Sequence, residues 1–90
     1  GVVSVFMTLD QRSGRLKSPA EVISYGFIEL DESADLLKMT SQEAQTTLEA
    51  LETHTLDWDE LSARVRDAVS DFLYEETHRR PTVLIHVDKV

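Results

Sequence analysis

Hydrophobic and polar positions alternate in steps of two at the start of the chain. Val3, Val5, Met7 and Leu9 fall on one side, and Val2, Ser4, Phe6 and Thr8 on the other. This spacing predicts a strand over residues 1–9, because successive side chains of a pleat point to opposite faces. Its β-branched and aromatic types also suit a half-buried sheet surface. The first side is wholly apolar and is expected to face the core. The second is mixed. Residues 10–21 then read as a turn-rich connection with Asp10, Ser13 and Gly14, and Gly14 is the candidate for a positive φ. Pro19 makes a second break, since it cannot donate to a ladder. Val22, Ile23, Tyr25, Phe27, Ile28 and Leu30 predict a second strand over about 22–30, and Gly26 inside it suggests a bulge or a close backbone approach.

The period then changes to that of a helix. Leu37, Ser41, Ala44, Leu48 and Leu51 recur at steps of four and three, which predicts a helix over about 33–53 with Asp31 or Ser33 as its cap. Trp58, Leu61, Val65, Ala68, Val69 and Phe72 form one face of a second helix over 57–78. Asp57 and Glu60 make a variant capping box, and Leu56 with Leu61 fits a hydrophobic staple. Asp59 in the first turn complements the helix dipole, as do His78 and Arg79 at the far end, before Pro81 stops the helix. Val83, Ile85 and Val87 alternate with Leu84, His86 and Asp88 in a closing strand over 82–90. The element order is β-β-α-α-β. Two helices joined by the short linker 53–56 form a hairpin that returns the chain to the end of the sheet it left. The last strand then runs antiparallel to the second, and if it pairs beside the first, those two are parallel. The expectation is an α+β fold, a three-stranded mixed sheet with two antiparallel helices on one face, in a single domain over residues 1–90.

Charge sharpens this picture. The chain of 90 residues carries 17 acidic and 9 basic groups, a formal net charge of −8. Residues 31–56 hold six acidic groups against one basic, and residues 57–78 hold seven against two. Residues 1–30 balance at three of each, and residues 79–90 hold three basic against one acidic. The acidic middle repels phosphate backbones, which argues against a nucleic-acid-binding face there. With no Cys there is no disulfide framework, thiolate nucleophile or Cys-ligated zinc. The apolar run Val2 to Leu9 is too short to span a bilayer and lacks the basic leader of a signal peptide. No membrane partner and a cytoplasmic location are expected.

Candidate chemistry is sparse. His54, His78 and His86 show neither H-x-H nor H-x-x-x-H spacing, so ordinary surface or helix-end roles are expected and no metal ligand is assigned. The carboxylate clusters Asp31-Glu32, Asp57/Asp59/Glu60 and Glu75-Glu76 fall at solvated helix ends and faces. No nucleophile elbow or P-loop occurs, and no catalytic residue is assigned. Arg79 and Arg80 are the sharpest local feature. They are candidate contacts to a partner or a phosphate, although dipole complementarity with ion pairs to Asp71, Glu75 or Glu76 is the reading favoured over it. Trp58 and Phe72 are read as core. Tyr25 and Phe27 suggest base stacking only if cations stand nearby, and none does in the sequence. Val2, Phe6 and Leu84 are expected to leave a partly apolar outer sheet face, a candidate docking surface. A chain that opens inside a strand is expected to be a piece of a larger protein.

The order Val2 to Leu9, Asp10, Ser13-Gly14, Leu16, Pro19, Ile23-Ser24, Gly26-Phe27 and Glu32-Ser33 resembles the C-terminal domain of ribonuclease J. The resemblance continues through Trp58, Leu61, Val65-Arg66-Asp67, Phe72-Leu73, Glu75, Thr77 and Arg79-Arg80-Pro81, and so spans essentially the whole chain. It implies a parent with a metallo-β-lactamase core, an inserted β-CASP domain and this appendage. Such parents are zinc-dependent ribonucleases with 5′-to-3′ exonuclease and endonuclease activity in RNA processing and decay. Their metal ligands lie in H-x-H-x-D-H motifs that this chain lacks, so zinc is implied for the parent and no cofactor for this domain. The implied role is support of oligomerisation and activity, with the parent's own catalytic region or a second subunit as partner and RNA as the parent's substrate. Tyr25 stands where the family usually has Arg, which weakens any contact of that segment with RNA. The closing strand also departs, lacking the usual Pro near Ile85 and acidic residue near Lys89. The alternative is a free-standing protein-interaction module with no nuclease link. An RNA-binding domain in its own right is disfavoured by the charge of −8.

Overall fold

Strand β1 (Val2–Leu9) forms where the alternation is strictest, and it becomes the centre of the sheet. The structure, a computed structural model, describes residues 1–51 and 57–90. The chain continues through β2 (Glu21–Tyr25), the one-turn α1 (Ile28–Asp31), α2 (Ala34–Ala50), α3 (Trp58–Thr77) and β3 (Thr82–Lys89). β1 pairs antiparallel with β2, Val2 opposite Tyr25 and Phe6 opposite Glu21. It pairs parallel with β3 in one continuous register, Val2 beside Thr82 and Leu9 beside Lys89. The three-stranded mixed sheet is the one the sequence predicts, and its strand order is β2-β1-β3. A parallel neighbour needs a long crossover, and the helices supply it.

The core lies on one face of this sheet. Val3, Val5, Met7 and Leu9 of β1 and Val83 of β3 are buried against Leu30, Ala44, Leu48, Leu61, Val65, Val69 and Leu73. The only buried polar side chain among the described residues is Thr40. Its hydroxyl donates to the Leu36 carbonyl at 2.7 Å, which removes most of the cost of burying it. Ser33 caps α2 by accepting from the Leu36 amide, and Asp57 caps α3 by accepting from the Glu60 amide at 2.7 Å. Leu56 of the expected staple, the linker 53–56 and His54 lie outside the described residues.

Three expectations are corrected. The second strand ends at Tyr25 instead of running to about residue 30, because Gly26 turns into the left-handed region at φ 71°. Phe27 and Leu30 are therefore two buried residues a helical turn apart in and before α1, not strand residues. On α2 the buried line is Thr40, Ala44 and Leu48, with Leu37, Ser41 and Leu51 half-buried beside it. On α3 the buried line is Leu61, Val65, Val69 and Leu73, while Phe72 and Trp58 only flank the core. Trp58 is half-buried, and the Lys89 ammonium sits 4.4 Å from its ring centroid.

Candidate functional site

The helices cover one face of the sheet and leave the other open. The register sets Tyr25, Val2 and Thr82 in one row across it, Ile23, Ser4 and Leu84 in the next, and Glu21, Phe6 and His86 in the third. Each of these positions alternates with a residue that points toward the core, so the open face follows directly from the pleat. Tyr25 is 82% exposed, Ile23 51%, Leu84 44% and Phe6 39%. The His86 ring stacks on Phe6, with centroids 4.5 Å apart and planes 11° from parallel. Val2, Phe6 and Leu84, the three docking candidates of the sequence, thus come together on one surface. Ile23 and Tyr25 extend it. The signal for them was present in the alternation of Val22 and Ser24 with Ile23 and Tyr25, but the overlong second strand obscured it. Phe27 is buried, so the two aromatics do not share this surface.

A second feature sits where β1 begins. A cleft of about 460 Å³ opens between Gly1, the turn Gly26–Glu29 and the turn Arg79–Pro81. Gly1 packs directly on the Gly26 peptide. A Cβ at Gly1 would stand 2.6 Å from the Gly26 carbonyl oxygen. The α3 end shapes the opposite wall. His78 adopts φ 58° and its amide donates to the Tyr74 carbonyl. Thr77 Oγ1 donates to the Leu73 carbonyl at 2.7 Å and accepts from the Arg79 amide at 3.2 Å. Arg79 Nε stands 3.4 Å from Glu29 Oε1, across the cleft. Arg80 Nη1 donates to Ser70 and Asp71, each at 3.1 Å, and the guanidinium lies 4.6 Å from the Tyr74 ring centroid. Of the ion-pair partners expected for this pair of arginines, Asp71 is used, and Glu29 is one that sequence spacing does not reveal. Both arginines and Asp71 are exposed and Glu29 is half-buried, so these pairs add little stability.

The remaining candidates stay apart. His78 meets Tyr74 edge-on at 6.1 Å, whereas His86 stacks on Phe6 on the open sheet face. Arg66 pairs with its neighbour Asp67 at 3.4 Å. Among the described residues no three His, Cys, Asp or Glu side chains are grouped to hold a metal ion. No helix among the described residues is long and apolar enough to cross a membrane. Asp10 organises the β1–β2 loop. The Ser13 amide first and the Arg12 amide second, with Lys17 nearby, hold its carboxyl below the ordinary carboxylate range.

This arrangement defines a small α+β domain built on a one-sided, three-stranded mixed sheet, with its parallel pair joined by a helical crossover. The chain belongs to the ribonuclease J C-terminal domain family, whose sequence pattern matches residues 1–90. Ribonuclease J 2 of Streptococcus pyogenes is 38% identical over 85 residues, 93% of this chain and 15% of that protein. Ribonuclease J2 of Bacillus subtilis is 35% identical over 85 residues, with the same shares. Ribonuclease J 2 of Staphylococcus aureus is 31% identical over 91 residues, all of this chain and 16% of that protein. The chain thus spans about 15% of the length of these relatives.

Proposed function

We propose that this chain is a non-catalytic C-terminal domain of a ribonuclease J-like protein of RNA processing and decay. It supports assembly and activity of a zinc-dependent catalytic region that lies elsewhere in that protein. The open sheet face carries this reading. Val2, Phe6, Ile23, Tyr25 and Leu84 form an apolar surface that a monomeric domain rarely leaves bare, and such surfaces mark docking sites. The partner is the catalytic region of the same protein or a second subunit. Charge favours a protein there over RNA, because the acidic groups concentrate on the helical segments and Glu21 lies on the open face itself. The full-length family match supports this reading over a free-standing interaction module. A cytoplasmic place suits a cysteine-free acidic domain of an RNA-decay protein.

Two measurements test it. Removing these 90 residues from the longer protein should shift its sedimentation to a smaller assembly and lower its RNA cleavage. Identical assembly and activity would refute the supporting role. Zinc-dependent RNA cleavage by the 90-residue chain alone would refute the non-catalytic reading.

A further inference from the structure

β3 is an edge strand, and its one ladder among the described residues runs to β1. The Thr82 amide donates to the Gly1 carbonyl and the Val90 amide to the Leu9 carbonyl, so the even-numbered residues turn their backbone groups toward β1. Alternate residues of a strand face opposite ways in this respect. Val83, Ile85, Val87 and Lys89 therefore direct their N–H and C=O groups outward, where no described residue bonds to them. Neither Pro nor a bulge interrupts Thr82–Lys89, and its only charged residues are Asp88 and Lys89 at the far end. Such an edge is a template for a further strand. The core is also unsealed on this side. Ile85 and Val87 point inward with Val83, yet both stay half-buried. β2, at the other edge, is five residues long and begins with Glu21.

Charge selects the occupant. α3 packs against β3 and carries six carboxylates against two arginines. Asp59, Glu60, Glu75 and Glu76 of α3 and Asp88 of β3 have no cation within ion-pair distance among the described residues. The nearby cations are already engaged, Arg80 by Asp71 and Lys89 by the Trp58 ring. A second copy of the chain brings another net charge of −8 and is repelled, whereas a basic segment is attracted. We propose that the outer edge of β3 takes up an extended basic segment of a partner protein as a fourth strand, with apolar side chains at alternate positions beside Ile85 and Val87. The edge groups supply the affinity, and the alternating side chains supply the specificity. This edge is separate from the open sheet face, and the inference does not rest on the docking role of that face.

The test is a nitrogen-15 NMR titration of the 90-residue chain with a capped peptide in which lysines alternate with valines. The Val83, Ile85, Val87 and Lys89 amides should shift and gain protection from hydrogen exchange. The Leu84 and His86 amides, already turned to β1, should exchange as before. Two isomeric peptides, N-methylated either on the valines or on the lysines, separate backbone pairing from charge. The isomer whose methyl groups meet β3 should bind at least about tenfold more weakly, the scale of one or two lost backbone hydrogen bonds. Failure of the valine isomer marks antiparallel addition, and failure of the lysine isomer marks parallel addition; both sustain the proposal. A peptide with glutamates in place of the lysines should also bind about tenfold more weakly, on the scale of a lost charged contact. The longer ribonuclease J-like protein should bind the lysine peptide as the 90-residue chain does. Equal binding of the two isomers, whether strong or weak, would overturn the proposal. So would equal binding of the glutamate peptide, shifts confined to other residues, or no binding by the longer protein. Sedimentation of the chain alone as a dimer that protects the same four amides would assign the edge to a second copy and overturn it as well.

Discussion

Replacing Gly26 with Ala tests why β2 stops and α1 begins. Gly26 sits at φ 71°, and the chain leaves the sheet edge through it. An L-residue pays about 1–2 kcal/mol in that conformation. Space is not the obstacle, because an added Cβ would meet the Gly1 Cα at 3.7 Å, an ordinary contact. Alanine also restricts the unfolded chain, which offsets about 0.4–1 kcal/mol. The net loss is about 1 kcal/mol, which for a domain of this size lowers Tm by about 4–8 °C. Gly26→Asn should lose less, since Asn tolerates the left-handed region. Circular-dichroism melts of the three proteins decide it. Ala as stable as Gly, or Asn worse than Ala, would refute the backbone argument and place the constraint in packing instead.

His78→Gly should raise stability by about 0.5–1 kcal/mol, because His78 caps α3 at φ 58°; a lower Tm would show that its edge contact with Tyr74 outweighs the backbone strain. Leu73→Ala should cost about 2–5 kcal/mol in urea unfolding, and more than Phe72→Ala, since Leu73 is fully buried and Phe72 only flanks the core. The reverse ranking would contradict the observed α3 face. Asp10 has a lowered pKa in the folded chain, so its stabilisation is complete above its unfolded-state pKa and fades as pH falls through the folded value. The stability deficit of Asp10→Ala should therefore be full at neutral pH and vanish in strong acid. A deficit independent of pH would show that the loop does not depend on the carboxylate charge.

What the sequence made legible depends on how local the physics is. β1 and β3 declare themselves because period-two alternation and β-branched side chains agree over eight residues each. α3 does so because its face, its Asp57 cap and Pro81 all point the same way. The direction of β3 followed from the connection, since a helical hairpin returns the chain to the sheet end from which it left, whereas its place beside β1 is seen only in the structure. The β2–α1 boundary was harder. Gly26 signalled a break, but Phe27, Ile28 and Leu30 continued the apolar run, and only the backbone reveals that the break is a turn into a helix. Arg79 illustrates the other limit. Its partner Glu29 lies 50 positions away in sequence, beyond any local spacing rule, and no periodicity predicts the cleft they share. Tyr25 was read as a residue without cations beside it. The structure leaves it 82% exposed on the open sheet face.

On the proposed reading, the open sheet face holds the domain to its partner. Phe6→Ser with Leu84→Ser, placed in the longer ribonuclease J-like protein, tests it most directly by sedimentation velocity alongside RNA cleavage. Both side chains are exposed, so the domain itself should stay folded, with its melt close to wild type. A smaller assembly is expected, with cleavage reduced toward that of the protein lacking these 90 residues. Unchanged sedimentation together with unchanged cleavage would contradict it.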